Sequence, residues 1–285
     1  MSLAALDPAL LECFVAVAER RSFSRAATAL NRTQSAVSMQ IKRLEARSQV
    51  PLFRRGRAGV VLTAPGEALL DYARRILALN GEALARLRAN DVEGEVRLGA
   101  MDDYGTLLIP PLLARFAAAF PSVRVELQTG LTASMPSRLG TEFDLVVAMH
   151  PAGQGRGEFL RRETPVWAAG AGHATPKTRP LPLALNPQGC LFRKWAMAAL
   201  DRAGIAWRLA FVGSGQAAVE AVAAQGLAVT VLKAGTFPAR LRRLGRRDGL
   251  PPLPAADIRL HRAPRLSRAG EFLAAHLAAA LRMPV

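Results

Sequence analysis

The 285-residue sequence has few of the residues on which several classes of protein depend. Its 2 cysteines, Cys13 and Cys190, and its 4 histidines show neither the spacing of a metal site nor that of a disulfide framework. The longest apolar stretch, residues 217–237, is interrupted by Glu220 and Lys233, so we expect no transmembrane helix. These absences argue against a metalloprotein, a disulfide-rich secreted domain and an integral membrane protein.

Signals for export and for catalysis are also missing. Asp7, Pro8 and Glu12 stand where a secretory signal would have a basic and then an apolar segment, so we expect a cytoplasmic protein. The Gly-rich stretch 213–215 lacks the lysine of a phosphate-binding loop, and Ser214 is not in a nucleophile-elbow pattern. We therefore expect no enzyme, no cofactor, no bound metal and no membrane partner.

Acidic residues are scarce relative to basic ones. The 38 Lys and Arg exceed the 22 Asp and Glu by a net charge of +16, which indicates a polyanionic partner such as nucleic acid or an anionic membrane surface. Residues 1–90 hold 14 Lys and Arg against 7 Asp and Glu, so basic residues are densest at the amino end. A nucleic-acid contact is expected there.

Three short helices are predicted within the first fifty residues. Ser22 or Ser24 can cap the second helix, and Thr33 can cap the third. Apolar residues recur at the i, i+4, i+7 spacing of a helix with one buried side, at Leu10, Phe14 and Val17 and again at Val37, Ile41 and Leu44. The pattern is typical of a helix-turn-helix.

The polar outer side of the predicted third helix is the candidate surface for contacting DNA bases. At 100° per residue, five side chains gather there: Gln34, Ser35, Ser38, Met39 and Lys42. Gln can bond adenine with two hydrogen bonds, and Ser and Lys can bond base edges or phosphate. The alternative is an ordinary hydrated helix surface.

A basic hairpin follows. Residues 52–55 and 60–63 are predicted strands around a Gly-rich turn, and Arg54, Arg55 and Arg57 crowd it. Such a wing can place arginines on phosphates or in a narrow minor groove. The alternative is that the arginines only improve solubility.

Residues 23–66 resemble the amino-terminal domain of LysR-type transcriptional regulators. The residues that carry the resemblance are Phe23 to Ala27, Leu30, Thr33 to Ser38, Gln40, Ile41, Leu44, Glu45, Pro51 to Phe53, Arg55, Leu62, Thr63 and Gly66. The resemblance implies that Gln34, Ser35, Ser38 and Met39 contact bases and that Arg57 is at the wing tip. Two departures stand out: Ser48-Gln49 replaces a usual glycine, and Met39 replaces a longer polar residue. The candidate DNA-binding residues are Ser24, Arg32, Thr33, Gln34, Ser35, Ser38, Met39, Lys42, Arg54, Arg55 and Arg57.

A long helix is predicted from Pro65 to about residue 89. Leu70, Leu77 and Leu84 repeat every seven residues, as do Ala73, Asn80 and Leu87, which forms a short heptad seam. We predict that this seam pairs with a second copy of the chain and that the polar Asn80 sets the register. The alternative is a helix packed on its own domain. The family resemblance implies a dimer, or a tetramer made of two dimers. The candidate dimerisation residues are Leu70, Leu77, Asn80, Leu84 and Leu87.

Strands and helices alternate after residue 90, which predicts a mainly parallel α/β sheet. Helices are expected near 106–120 and 132–139, and a strand near 160–169. Two such sets resemble the effector-binding domain of the same family, which is similar to periplasmic binding proteins. The predicted fold is an all-α winged helix-turn-helix domain (1–63), a linker helix (64–90) and a two-lobed α/β effector domain (91–285). Lobe I would hold about 91–162 and 258–285, and lobe II about 163–257.

Ligands of such α/β domains bind beyond the carboxyl ends of strands. The candidate effector-binding residues in those places are Met101, Asp102, Asp103, Tyr104, Thr129, Gly130, Leu131, Thr132, Cys190, Phe192, Gly213 and Ser214. The alternative role for Asp102 and Asp103 is to cap the start of a helix. If both instead face the cleft, their two carboxylates would disfavour an anionic effector. Cys190 has the two alternatives of a redox-active and an inert thiol.

The predicted function is a sequence-specific transcription regulator that responds to a small-molecule effector. Double-stranded operator DNA, the effector and further copies of the chain are the expected partners, and RNA polymerase is another candidate. The alternatives are a non-specific architectural DNA-binding protein and, less favoured, an α/β enzyme.

Overall fold

The computed structural model describes residues 6–56, 59–87 and 92–282. The chain divides into two compact units near residue 90. The amino-terminal unit contains α1 (Pro8–Arg20), α2 (Phe23–Ala29), α3 (Gln34–Ser48), the hairpin β1 (Phe53–Gly56) and β2 (Gly59–Leu62), and α4 (Ala64–Leu87).

Side-chain caps begin the first three helices. The Asp7 carboxylate accepts from the Ala9 backbone N–H, the Ser22 hydroxyl from Arg25, and the Thr33 hydroxyl from Ala36. Ser22 rather than Ser24 therefore caps α2, and Thr33 caps α3 as predicted. The apolar residues predicted to face inward are all buried in one core: Leu10, Phe14, Val17, Val37, Ile41 and Leu44.

The end of α3 shows how this chain replaces the usual glycine. Gln49 adopts the left-handed conformation with φ of 56°, which a non-glycine residue adopts at a cost. One turn earlier, the Glu45 carboxylate accepts the backbone N–H groups of Leu52 and Phe53 at 2.7 and 3.2 Å. This contact attaches the start of the hairpin to α3.

The long helix α4 corrects part of the predicted seam. Ala73 is fully buried, and Leu70 and Leu77 are partly buried against the core of their own unit, where α4 packs on α1. Leu70 and Leu77 therefore agree with the alternative prediction, a helix packed on its own domain. The sequence could not separate the two, because any amphipathic helix has the same spacing of apolar residues. Tyr72, Leu79 and Asn80 face outward, with Tyr72 61% and Leu79 66% exposed. The side chains of Leu84 and Leu87 lie outside the described residues.

The second unit begins with lobe I, built on one five-stranded sheet in the order β4-β3-β5-β12-β6. Its strands are β3 (Gly94–Ala100), β4 (Val123–Thr129), β5 (Leu145–Pro151), β6 (Glu158–Glu163) and β12 (Ala256–Arg262). Strand β3 runs parallel to β4 and β5, whereas β12 is antiparallel to β5 and β6. Helices α5 (Ile109–Ala119) and α8 (Arg268–Leu281) pack together, and α8 covers the sheet.

Lobe II contains two small sheets. Strand β7 (Pro165–Gly170) lies between β10 (Thr230–Lys233) and β11 (Leu241–Leu244), antiparallel to both. Strands β8 (Leu181–Leu185) and β9 (Trp207–Val212) are parallel. Helices α6 (Leu191–Arg202) and α7 (Gln216–Ala224) complete the lobe.

The α/β prediction was right, but three details differ. The lobe I sheet is mixed rather than mainly parallel, because the chain returns through β12 antiparallel to its neighbours, and the β10-β7-β11 sheet of lobe II is antiparallel. The strand predicted at 160–169 is two strands, β6 and β7, which belong to different sheets. Residues 132–139 contain only a 3₁₀ turn, Met135–Arg138, where Pro136 limits a longer helix. No helix of the described residues is long and apolar enough to cross a membrane.

Candidate DNA interface and effector cleft

The outer side of α3 presents the predicted polar residues to solvent. Gln34, Ser35, Met39 and Lys42 are exposed and Ser38 is half-buried, while Val37, Ile41 and Leu44 anchor the opposite side. Because Gln34 and Ser35 lie in the first turn, their side chains are at the end of the helix from which recognition helices contact bases. The side chains that the sequence predicts to contact bases are therefore accessible.

The turn before α3 positions its first residues. The Ser24 hydroxyl donates to Gln34 Oε1 at 2.7 Å, and the hydroxyls of Thr33 and Ser35 lie 3.0 Å apart. Ser24 thus orients Gln34. Arg32 is exposed, and its guanidinium lies 3.5 Å from Cys13 Sγ and 3.9 Å from Glu12 on α1, so its contact with DNA stays a prediction.

The hairpin is present as β1 and β2, paired from Phe53 and Leu62 to Gly56 and Gly59. Arg54 is exposed on β1. The side chain of Arg55 and the whole of Arg57 at the predicted wing tip lie outside the described residues. Within the described residues, the hairpin itself therefore supplies one exposed arginine.

The second unit has a cavity of about 60 Å³ between the lobes, with room for a few water molecules or a small ligand. Eight of the predicted effector residues line it: Met101, Asp102, Asp103, Gly130, Leu131, Thr132, Cys190 and Phe192. Thr129 lines an adjoining hollow of about 420 Å³ that shares Asp102 and Asp103 with the cavity. The loops after β3 and β4 and the start of α6 therefore converge as expected.

Lys233 is the residue that sequence reasoning missed. It ends β10 in lobe II, and its Nζ lies 2.8 Å from both carboxylate oxygens of Asp103 in lobe I, with both side chains buried. Thr236 donates a third hydrogen bond to Asp103 at 2.7 Å. A lysine directly after the predicted strand 227–232, in which Thr230 is the one polar residue, was the available signal.

Asp102 also spans the two lobes. Its Oδ2 accepts the backbone N–H of Gln216 at the start of α7, at 3.3 Å. Asp102 therefore interacts with a helix start, but with a helix of the other lobe. Because Lys233 pairs with Asp103, Asp102 is the carboxylate left without a cation in the cavity lining, and the expectation that the cleft disfavours an anionic effector stays a prediction.

Three predicted effector residues lie elsewhere. Tyr104 is fully buried outside the cavity: its hydroxyl donates to Glu163 and accepts from Arg161 Nε, each at 2.7 Å. Burial raises the pKa of Tyr104 and outweighs the nearby charge of Arg161, so the hydroxyl remains protonated. Gly213 and Ser214 do not line the cavity, and Gly213 instead bonds Leu185 and Asn186. Neighbouring Gln216 lines the cavity in their place.

The fold also joins two of the histidines that looked scattered. His150 on β5 and His261 on β12 lie 2.9 Å apart, Nε2 to Nε2. Burial and the charge of Arg259 lower the pKa of His150, against the carboxylate of Asp257. Burial, His150 and Arg259 lower the pKa of His261 to about 4. The described residues contain no cluster of three or more potential metal ligands.

Comparison with known proteins agrees with both parts of the structure. The model of the bacterial regulatory helix-turn-helix protein, lysR family, matches residues 8–67, and that of the LysR substrate binding domain matches residues 89–282. The helix-turn-helix with an exposed polar α3 and the two-lobed domain thus define a ligand-binding regulator. The chain belongs to the LysR family and is a DNA-binding transcriptional regulator.

Individual relatives share the full-length arrangement. The HTH-type transcriptional regulator DgdR of Burkholderia cepacia is 40% identical over 256 residues, 90% of this chain and 87% of that protein. PecT of Dickeya dadantii is 35% identical over 260 residues, 91% and 82% of the two chains. The structure of CrgA from Neisseria meningitidis is similar in fold, with a TM-score of 0.67, 21% identity and coverage of 96% and 98%.

Proposed function

We propose that this regulator reads operator DNA with α3 and that a small ligand between the lobes controls its activity. The observation that carries the proposal is the polar row on the outer side of α3, with Gln34, Ser35 and Lys42 exposed and Ser38 half-buried, anchored from behind by a buried core. Amide, hydroxyl and ammonium groups at this end of a helix have the donors and acceptors to distinguish base pairs in the major groove. Met39, 64% exposed, adds an apolar contact for a thymine methyl group.

The hairpin supports α3 in this role. Because Glu45 ties Leu52 and Phe53 to α3, the strand that carries Arg54 keeps a set position beside the recognition helix. Arg54 is then placed to contact phosphate, which positions a protein on the duplex without reading sequence.

We further propose that the chain binds DNA as a homo-oligomer through the outward side of α4. Tyr72 and Leu79 are exposed and seven residues apart, so that they lie on one side of the helix. A second copy would bury them, and it would bring two α3 helices to two halves of one operator. Asn80, next to Leu79, remains the candidate for setting the register.

The charges of the cleft constrain the effector. Asp102, Asp103 and Lys233 leave the cavity with a net charge of −1, and Asn186, Thr132 and Gln216 add neutral polar groups to its lining. We propose a small polar effector that brings a positively charged or hydrogen-bond-donating group to Asp102. By bonding groups of both lobes, it would change the contacts that hold the lobes together.

Selection of DNA tests the first part of the proposal. The intact protein is used to select duplexes from a random-sequence library, and we expect one sequence with two related halves. If the selected duplexes share no sequence at fixed salt, the chain is an architectural DNA-binding protein. Turnover of a substrate that survives substitution of α3 would favour the α/β enzyme.

Thermal unfolding of the intact protein tests the effector proposal. Ethylamine, acetate and glycine serve as three small probes that differ in charge. A ligand that binds only the folded cleft raises the midpoint by an amount that grows with the ratio of its concentration to its Kd, so the three probes are compared at equal concentration. We expect ethylamine or glycine to raise it more than acetate, and stronger stabilisation by acetate would contradict the proposed chemistry.

A further inference from the structure

The net positive charge of the second unit arises from lobe II. Residues 164–255, which hold β7 to β11, contain 12 Lys and Arg against 3 Asp and Glu. The remaining residues of 91–285 contain 12 of each kind. The whole excess of +9 therefore lies in lobe II. Neither DNA binding by the helix-turn-helix nor ligand binding in the cleft explains why lobe II is so basic.

Five of these basic residues follow one another closely at the edge of a sheet. Arg240, Arg242, Arg243, Arg246 and Arg247 are all on β11 or beside it, and β11 is an outer strand of the β10-β7-β11 sheet. Arg242, Arg243, Arg246 and Arg247 are exposed, and Arg240 is 54% exposed at its side chain. We call these five residues the arginine strip.

Neighbouring carboxylates pair with only two of the five arginines of the strip. Arg240 pairs with Glu220 and Arg242 with Asp248, at 2.8 and 2.7 Å. Arg243 lies over the Phe237 ring and bonds the Ala234 carbonyl. Arg246 and Arg247 have no partner among the described residues. They begin a 3₁₀ turn in which Asp248 Oδ2 accepts from the Gly245 N–H at 3.0 Å, so their backbone is held in place.

The composition of the strip favours a phosphate backbone over a protein surface. A protein interface usually has an apolar or aromatic centre, but the leucines of this segment, Leu241, Leu244 and Leu250, are buried. Guanidinium groups match phosphate oxygens in geometry and charge. We propose that the arginine strip of lobe II is a second DNA-binding surface, which contacts phosphates of the duplex independently of sequence.

The test compares two double variants of the full-length protein on a 60-bp duplex of random sequence. Arg246→Ala/Arg247→Ala removes two charges from the strip. Lys177→Ala/Arg208→Ala removes two exposed charges from other elements of lobe II and is the matched control. Binding is measured by fluorescence anisotropy over a range of salt concentrations, after circular dichroism has shown that both variants fold.

Each phosphate contact contributes about 0.9 to the slope of log K against log salt. We expect the strip variant to lose up to about 2 from this slope and to bind at least several-fold more weakly at low salt, with the control unchanged. Equal slopes and affinities for wild type and strip variant would overturn the proposal, as would an equal loss in the control. Because no operator is used, the outcome is independent of the operator selection described above.

Discussion

The Nζ of Lys233 lies 2.8 Å from both carboxylate oxygens of Asp103, and this pair connects the two lobes inside the second unit. Each side chain comes from a different lobe, and both are buried in the wall of the cavity. A buried pair of this kind costs desolvation energy, so its benefit depends on both partners being present. Because Asp103 and Lys233 both line the cavity, a change at the cavity wall would also change a contact that holds the two lobes together.

Removing one partner should therefore be costly. We expect Lys233→Met to lower the free energy of unfolding by about 3–5 kcal/mol, because Asp103 is left charged and buried. Unfolding by denaturant is followed by the fluorescence of Trp167, Trp195 and Trp207, all in lobe II. Arg124→Met, which breaks the exposed pair with Glu95, is the control and should cost at most about 1 kcal/mol. Similar losses in both variants would contradict the role given to the buried pair.

If α3 contacts bases, substitutions on its outer side should reduce affinity for the operator more than affinity for random DNA. Gln34→Ala or Ser38→Ala should weaken binding to the selected operator by about 1–3 kcal/mol and leave binding to random duplex nearly unchanged. Electrophoretic mobility shifts on both duplexes measure the difference. Gln188→Ala, an exposed amide in the other unit, is the control. An equal loss on the two duplexes would mean that these side chains do not read bases.

The outward side of α4 predicts a separation between assembly and folding. Leu79→Glu should convert the oligomer to monomer in light scattering and remove the dependence of the unfolding midpoint on protein concentration. The midpoint should then equal that of the dilute wild-type monomer, because Leu79 is exposed. Leu77→Ala should leave the oligomer intact but reduce the stability of the first unit by about 1–3 kcal/mol, because Leu77 packs on the core. The reverse pattern would restore the Leu70 and Leu77 seam as the site of pairing.

The paired histidines predict acid sensitivity. Their pKa values in the folded state lie below the unfolded value of 6.5, so the unfolded chain binds more protons in acid. The stabilisation is complete above pH 6.5 and is lost as the pH falls toward about 4, the folded pKa of His261. Tryptophan-monitored unfolding at pH 8, 6.5 and 5 should show a smaller loss between pH 6.5 and 5 for His261→Gln than for wild type. The exposed His173→Gln is the control, and a variant as acid-sensitive as wild type would exclude the histidine pair as the cause.

Local chemistry explains the parts of the structure that were predictable. Helix capping by Ser22 and Thr33 involves residues only three positions away. The apolar triplet on α3 spans two helical turns. Because helix geometry fixes the relative positions of such near neighbours, their places can be predicted from their spacing in the sequence. The ends of the strands of an α/β domain meet at one edge, which is why eight of twelve effector candidates were found in the cavity lining. A glycine at the end of α3 was not required, because Gln49 takes the left-handed conformation.

Contacts between distant residues explain the errors. Tyr104 follows the same strand as Asp102, but Glu163 and Arg161, almost sixty residues away, bind its hydroxyl outside the cavity. Lys233 is 130 residues from Asp103, and no pattern in the sequence connects them. The heptad on α4 was ambiguous because an oligomer seam and a domain contact need the same apolar repeat.

By itself, the order of residues determined the helix-turn-helix, the polar outer side of α3 and the alternation of strands and helices. Periodicity and capping are properties of neighbouring residues, so they can be read without knowing the rest of the molecule. Only the tertiary structure decided which side of α4 is free, how the cleft carboxylates are neutralised and that His150 meets His261. Those relationships depend on how the chain returns through β12 and across the lobes, where pairing is set by packing and burial rather than by distance along the sequence.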